Sequence, residues 1–183
     1  IMEAAKTVGI DIPHLCYLKD INDIGACRVC VVEIEGKDKL ATACNTVCEE
    51  GMVIQTNGAR ARKARRINVE LLMSDHNDSC PYCMKSGNCT LQNDLGFIVP
   101  NFRNVAEKMN WTMELPIVRD ASKCIKCMRC VQVCNKIQGL GIWQMVGSGY
   151  RATVGVRDNE RIDKSECALC GQCITHCPVG ALR

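Results

Sequence analysis

Residues 124–134 read CIKCMRCVQVC, and residues 167–177 read CALCGQCITHC. Each cysteine of the first stretch (Cys124, Cys127, Cys130, Cys134) recurs 43 residues later as Cys167, Cys170, Cys173 and Cys177. Three thiolates at steps of three residues can wrap three corners of one inorganic cluster. The chain then leaves in another direction, so the fourth thiolate is better aimed at a neighbouring cluster. The pattern therefore predicts two crossed [4Fe–4S] sites, one of Cys124, Cys127, Cys130 and Cys177, the other of Cys167, Cys170, Cys173 and Cys134. Tetrahedral zinc, the alternative, takes two separated CxxC pairs, which a duplicated triple run supplies poorly.

This doubled run is that of bacterial two-cluster ferredoxins, although only the second copy ends in Cys-Pro, and the first ends Cys134-Asn135. The unit carrying it is expected to begin at Pro116 and fill residues 116–183. Between its halves, GIWQMV (141–146) and RATVGV (151–156) alternate well enough for a hairpin around Gly147-Ser148-Gly149.

Upstream, residues 74–89 read SDHNDSCPYCMKSGNC, with three cysteines where a cubane needs four ligands. His76, at H-x3-C-x2-C-x5-C and at the end of a predicted helix, completes the set with Cys80, Cys83 and Cys89. A neutral imidazole in place of a thiolate makes the cluster less negative and favours its reduced form. His14 and His176 lie beside sites already complete and are read as non-ligands. The helix is expected from Ala59 to Met73, capped by Thr56 or Asn57. Its first half, ARARKARR, is basic, and its second half places Ile67, Leu71 and Leu72 on one apolar face. With no interleaved aromatic residue, the basic run reads as a solvated face near negative clusters and not as a nucleic-acid surface. A short helix is expected near CTLQNDLG, closing a unit at 58–115.

Residues 1–57 carry Cys16, Cys27, Cys30 and Cys44 at C-x10-C-x2-C-x13-C, a set suited to a [2Fe–2S] rhomb. Cys48, four residues beyond Cys44, competes as the fourth ligand; Cys44 is preferred, and Cys48 is expected to be a buried free thiol. A helix at IMEAAKTVG ending near Gly9, strands at VCVVEIEG and DKLATAC joined by Gly36-Lys37-Asp38, and a strand at 52–56 predict a small mixed unit. One helix and three strands are too few for a sheet with a covered face, so an N-terminal strand pair is expected to be missing.

Composition agrees with metal sites. Sixteen cysteines in 183 residues, mostly two apart, suit metal better than distant disulfides. Aromatics are 4% of residues, a thin core of the kind that metal binding often completes. The formal charge of +3 counts cysteines as neutral; the four clusters add roughly −7, so the basic excess reads as compensation for buried cluster charge. No signal peptide or membrane-length apolar run is present, which points to a reducing cytoplasm, although Ile1 is not a natural start.

The order of the three motifs, with the phrases LCYLKDINDIGACRVCVVEIEG and CALCGQCITHCPVGAL, resembles the N-terminal relay region of [FeFe]-hydrogenase catalytic subunits. The multimeric, NAD(P)-linked and electron-bifurcating forms are the most similar. The resemblance spans the chain and implies an α+β architecture: a ubiquitin-like β-grasp [2Fe–2S] domain, here N-terminally truncated, a small His-ligated [4Fe–4S] domain, and a two-cluster ferredoxin-like domain. It implies one [2Fe–2S] and three [4Fe–4S] clusters, with the hydrogen-activating cluster (H-cluster) only in a C-terminal domain that this chain lacks. On that reading the 183 residues hold no catalytic site and relay electrons within a larger oxidoreductase. The expected partners are a flavin- and iron–sulfur-containing NAD(P)H-oxidising subunit or ferredoxin, in a hetero-oligomer. Diaphorase subunits of NAD-linked [NiFe]-hydrogenases and NAD-dependent formate dehydrogenases look alike here and are the alternatives; a zinc-bound structural module is a third.

Overall fold

The structure is a computed structural model that describes residues 1–76, 79–95 and 117–183. The chain opens with helix α1 (Met2–Thr7), which ends as Gly9 turns at φ +74°. Strand β1 (Val31–Ile34) pairs antiparallel with β2 (Ala41–Thr42) on one side and β3 (Ile54–Gln55) on the other, giving the order β2-β1-β3. The register sets Val31 against Thr42 and Ile34 against Ile54. The β1–β2 turn closes where Lys37 N–H donates to the Ile34 carbonyl, with Gly36 left-handed. Met2, Ile12, Val32 and Ala43 are buried together beneath α1 and the sheet, around Cys30.

Helix α2 (Ala59–Ser74) follows, and its start differs from the sequence expectation. Gly58 occupies the N-cap and has no side chain to cap with; Glu33 of β1 does the work instead, its Oε1 accepting the Ala61 N–H at 3.0 Å. The absence of a side chain on Gly58 makes the room, since a Cβ there would fall 2.0 Å from that oxygen. A carboxylate at this point also meets the positive end of the helix dipole.

The inward face of α2 differs too. Ile67 and Leu71, expected on the buried stripe, are exposed, while Ala61 and Val69 are buried and Leu72 and Met73 pack on the core. Arg65 lies on the inward row (61, 65, 69) and explains the rotation. Its guanidinium donates to the carbonyls of Val29 (2.9 Å), Val31 (3.1 Å) and Thr56 (3.1 Å). Much of the basic run is likewise spent within the protein: Arg62 donates to the Asn57 carbonyl, Arg60 to that of Asp38, and Arg66 pairs with the Glu70 carboxylate.

Helix α3 (Thr90–Leu95) lies near CTLQNDLG, as expected. The expected boundary at 115/116 lies outside the described residues. Beyond it, residues 118–120 run antiparallel to 181–183, tying the two ends of the last unit together. Helix α4 (Arg129–Lys136) and helix α5 (Gln172–Thr175) each begin one residue before the third cysteine of their run and pack together. Strands β4 (Trp143–Val146) and β5 (Thr153–Val156) form the expected hairpin, in register from Trp143–Val156 to Val146–Thr153. One core continues from Leu15, Val29 and Val69 through Val131 and Trp143 to Val179.

Removing the remote cap tests this account of α2. Glu33→Ala is expected to destabilise the protein by about 1 kcal/mol, the usual cost of a lost N-cap, and Glu33→Gln by less because it keeps an acceptor. Anaerobic thermal unfolding of the two variants measures the difference.

Candidate metal centres

The two long cysteine runs fold as loop-then-helix, and their backbones repeat as their sequences do. Lys126 (φ +54°) and Met128 (φ +65°) are left-handed in the first run; Leu169 (φ +54°) and Gly171 (φ +72°) are left-handed at the same places in the second. Three of these four are not glycine, and each left-handed residue costs roughly 1–2 kcal/mol. The conformation is retained because it curls the loop so that successive cysteines face one space. Arg28, between Cys27 and Cys30, is left-handed for the same purpose (φ +51°).

In the last unit the eight cysteines divide between two cavities. Cys124, Cys127, Cys130 and Cys177 line one, with Arg119 at its wall. Cys134, Cys167, Cys170 and Cys173 line the other. Each cavity thus takes three sulfurs from one run and the last sulfur of the other. Trp143, 2% exposed, lines both and separates them. The Ile142 N–H donates to Cys134 Sγ at 3.3 Å. Burial pushes the Cys127 thiol up to about 12 and the Cys173 thiol up to about 11, the latter partly offset by a hydrogen bond from the Trp143 side chain. Cys130 is driven well above its ordinary range for the same reason. Such sulfurs become thiolates only beside concentrated positive charge, which a soft metal centre supplies. Arg119, buried near Cys124 and Cys130, contributes part of it.

In the first unit Cys16, Cys27 and Cys30 are buried and Cys44 half-buried. They meet as two hydrogen-bonded pairs. The Cys16 thiol holds Cys27 down to about 5, and the Cys44 thiol holds Cys30 down to about 7, while Cys16 and Cys44 are pushed up as donors. The Cys27 N–H also points at Cys16 Sγ, 3.5 Å away. The Arg65 guanidinium lies close enough to favour a thiolate at Cys30. Cys48, expected to be buried, is exposed, because the loop bearing it runs over the surface with Val47 also exposed.

The remaining set is less enclosed. Cys89 is buried and Cys80 and Cys83 are half-buried, with Cys83 N–H closing a tight turn onto the Cys80 carbonyl. His76 is 6% exposed, and its Nδ1 lies 2.9 Å from the Lys123 carbonyl. A carbonyl only accepts, so Nδ1 carries the proton and Nε2 the lone pair. Lys123 in turn lies against Gly180, and Gly180 against Cys83: a Cβ at Gly180 would fall 2.6 Å from Cys83 Sγ. His14 and His176 hold the Ile12 and Gln172 carbonyls in the same way but are only half-buried. Among the described residues no three His, Cys, Asp or Glu side chains converge on a single-ion point; the sulfurs gather in pairs or around cavities.

These are iron–sulfur binding domains. Residues 1–59 match the family described as a 2Fe-2S iron-sulfur cluster binding domain. Residues 65–94 match the NADH-ubiquinone oxidoreductase-G iron-sulfur binding region, and residues 123–181 a 4Fe-4S dicluster domain. Such domains occur together in subunits of NAD(P)-linked oxidoreductases, and the whole chain aligns with several. It is 42% identical to the NADP-reducing hydrogenase subunit HndD of Solidesulfovibrio fructosivorans, over 100% of this chain and 33% of that protein. It is 36% identical to the NADPH-Fe(3+) oxidoreductase subunit alpha of Geobacter sulfurreducens, over 100% of this chain and 22% of that protein. The chain thus spans a third or less of these relatives. Among solved structures it matches a chain of an NAD+-reducing [NiFe]-hydrogenase in the H2-reduced state, with TM-score 0.89 and 28% identity, covering 100% of this chain and 79% of that one.

The close approach of Gly180 to Cys83 yields a local test. Gly180→Ala is expected to displace the Cys83 sulfur and reduce iron incorporation at that site, leaving the signals of the other centres in place. EPR of the dithionite-reduced protein, with iron counted per chain, reads the difference.

Proposed function

We propose that this chain is a four-centre electron relay, holding one [2Fe–2S] and three [4Fe–4S] clusters within a larger NAD(P)-linked oxidoreductase. The ligand sets are Cys16, Cys27, Cys30 and Cys44; His76, Cys80, Cys83 and Cys89; Cys124, Cys127, Cys130 and Cys177; and Cys167, Cys170, Cys173 and Cys134. Residues 1–57 form the two-iron unit, 58–115 the His-ligated unit and 116–183 the dicluster unit. The observation that carries the reading is the crossed division of eight sulfurs between two adjoining cavities.

When bound, the clusters take up and release single electrons. The chain's own residues position and tune them. Thiolates and one imidazole supply the ligands, and burial excludes water. Hydrogen bonds from Ile142 N–H to Cys134 Sγ and from Cys27 N–H to Cys16 Sγ, together with the charges of Arg65 and Arg119, favour the more negative, reduced state. The His76 Nδ1–H bond to the Lys123 carbonyl orients the ring as metal-ligating histidines commonly are oriented.

In this reading the parent enzyme is a hydrogenase of the [FeFe] type, and the likeness to HndD supports a hydrogenase linked to a pyridine nucleotide. A [NiFe]-hydrogenase diaphorase subunit is the second reading, favoured by the solved structure of that type. Both imply a flavin-bearing NAD(P)H-oxidising partner in a hetero-oligomer, and a cytoplasmic setting. No helix among the described residues is long and apolar enough to cross a membrane.

Anaerobically purified protein is expected to contain about fourteen irons per chain with matching acid-labile sulfide; zinc without sulfide overturns the relay. His76→Cys is expected to retain a cubane whose reduction potential is lower than that of the parent, because a thiolate adds negative charge. An EPR-monitored redox titration showing an unchanged potential and spectrum at that site removes His76 from the ligand set.

A further inference from the structure

The first unit rests directly on the last. Residues 16–22 form a tight loop, closed by reciprocal backbone hydrogen bonds between Leu18 and Asn22 (2.7 and 2.9 Å), and this loop packs on α4. Arg129 of α4 donates to the carbonyls of Cys16 (3.3 Å) and Tyr17 (2.7 Å), and Lys136 donates to that of Ile21 (2.7 Å). At the centre stands Asn22, 0% exposed. Its Nδ2 donates one hydrogen to the Cys16 carbonyl at 2.7 Å and the other to the Cys127 carbonyl at 3.0 Å. The amide orientation follows from chemistry, because two carbonyl acceptors require the NH2 end. Its Oδ1 has no hydrogen-bond partner among the described residues, a cost of roughly 1–3 kcal/mol for a buried acceptor. The fold therefore accepts a half-satisfied polar group at this position, and its two donated bonds to the Cys16 and Cys127 carbonyls offset that cost.

On the other flank of this interface, Cys27 and Cys124 line an open cleft together with Arg28, Asn68 and Lys126. The packed and bonded contact between the two units is on the Asn22 side. There a single NH2 group joins the main chain of Cys16 to that of Cys127, each assigned above as a ligand of a different cluster.

We propose that the Asn22 carboxamide is the electron-tunnelling bridge between the Cys16-bearing and Cys127-bearing centres. The inference rests on the relay reading and assigns it a path. One electron leaves the first centre, which is oxidised by one, and passes through the Cys16 carbonyl, Nδ2 and the Cys127 carbonyl. It reaches the second centre, which is reduced by one, and no proton moves. Hydrogen-bonded contact couples donor and acceptor more strongly than a gap of the same length, so this route outcompetes the cleft. Asn22 is a positioning residue here: it touches neither cluster and acts through two ligand backbones.

The test uses the loaded chain. Flash photoreduction followed by rapid-freeze EPR gives the rate of electron equilibration between the two centres, and an EPR-monitored titration gives their potentials. Asn22→Leu keeps the shape and removes both donors; it is expected to slow equilibration severalfold with both potentials unchanged. Asn22→Ser, whose one hydroxyl can reach only one carbonyl at a time, is expected to do the same and serves if the leucine variant misfolds. Lys136→Met loosens the same interface without touching the amide and is expected to equilibrate at the parental rate. A parental rate in the Asn22 variants, or equal slowing in Lys136→Met, refutes the bridge. If the parent protein shows no two-iron signal, the relay reading itself has failed, and this is seen before any variant is compared.

Discussion

Sulfur taken out of water governs this structure. Nine of the sixteen cysteines are buried, in a core whose one large aromatic side chain among the described residues is Trp143. A thiolate in such surroundings is disfavoured unless positive charge or hydrogen-bond donors meet it. Much of the local architecture answers that demand. Left-handed residues curl the loops, backbone N–H groups point at Cys16 and Cys134, and two arginines sit beside sulfur, Arg65 held by three carbonyls and Arg119 bonded to the Thr153 hydroxyl. Metal and fold are then one problem, since the groups that shape the core also want a cation.

The same demand explains why the units are pressed together instead of strung on linkers. The loop carrying Cys16 is held to the last unit by Arg129 and Lys136 of α4 and by its own Asn22, which reaches the Cys127 carbonyl. The Thr90 N–H donates to the Pro178 carbonyl, and His76 to that of Lys123. Lys126 pairs with Asp75 across the same junction. Several of these contacts bind backbone at or next to a cysteine of one unit to a group in another. Close packing of the units is what an electron relay requires, and here polar contacts between loops add to the apolar core that the units share.

Sequence patterns read well where local chemistry decides. α1, α2, α3, the three short strands and the 141–156 hairpin were all legible from periodicity and turn residues. The misreadings share one cause. Thr56 and Asn57 were the natural local caps for α2, but a carboxylate arriving from β1 displaced them. Ile67 and Leu71 looked like a buried stripe until Arg65 claimed the inward row. Cys48 looked buried by residue type, although its loop runs over the surface. Nor did residue type reveal the left-handed Lys126 and Met128; the glycine at 171 in the sister run was the one available signal.

Spacing along the chain by itself determined how many sulfurs could share a site and that the last member of each run would cross to the other, because three-residue steps and loop curvature are local properties. It also narrowed the candidate donors to thiols and, as an expectation, the imidazole of His76. Tertiary structure alone decided which positive charges face those sulfurs, which side of α2 turns inward, and that one buried amide joins Cys16 to Cys127. Those outcomes depend on groups as much as 105 residues apart in sequence, which meet only when the chain packs and the charge and hydrogen-bond needs of one segment are met by another.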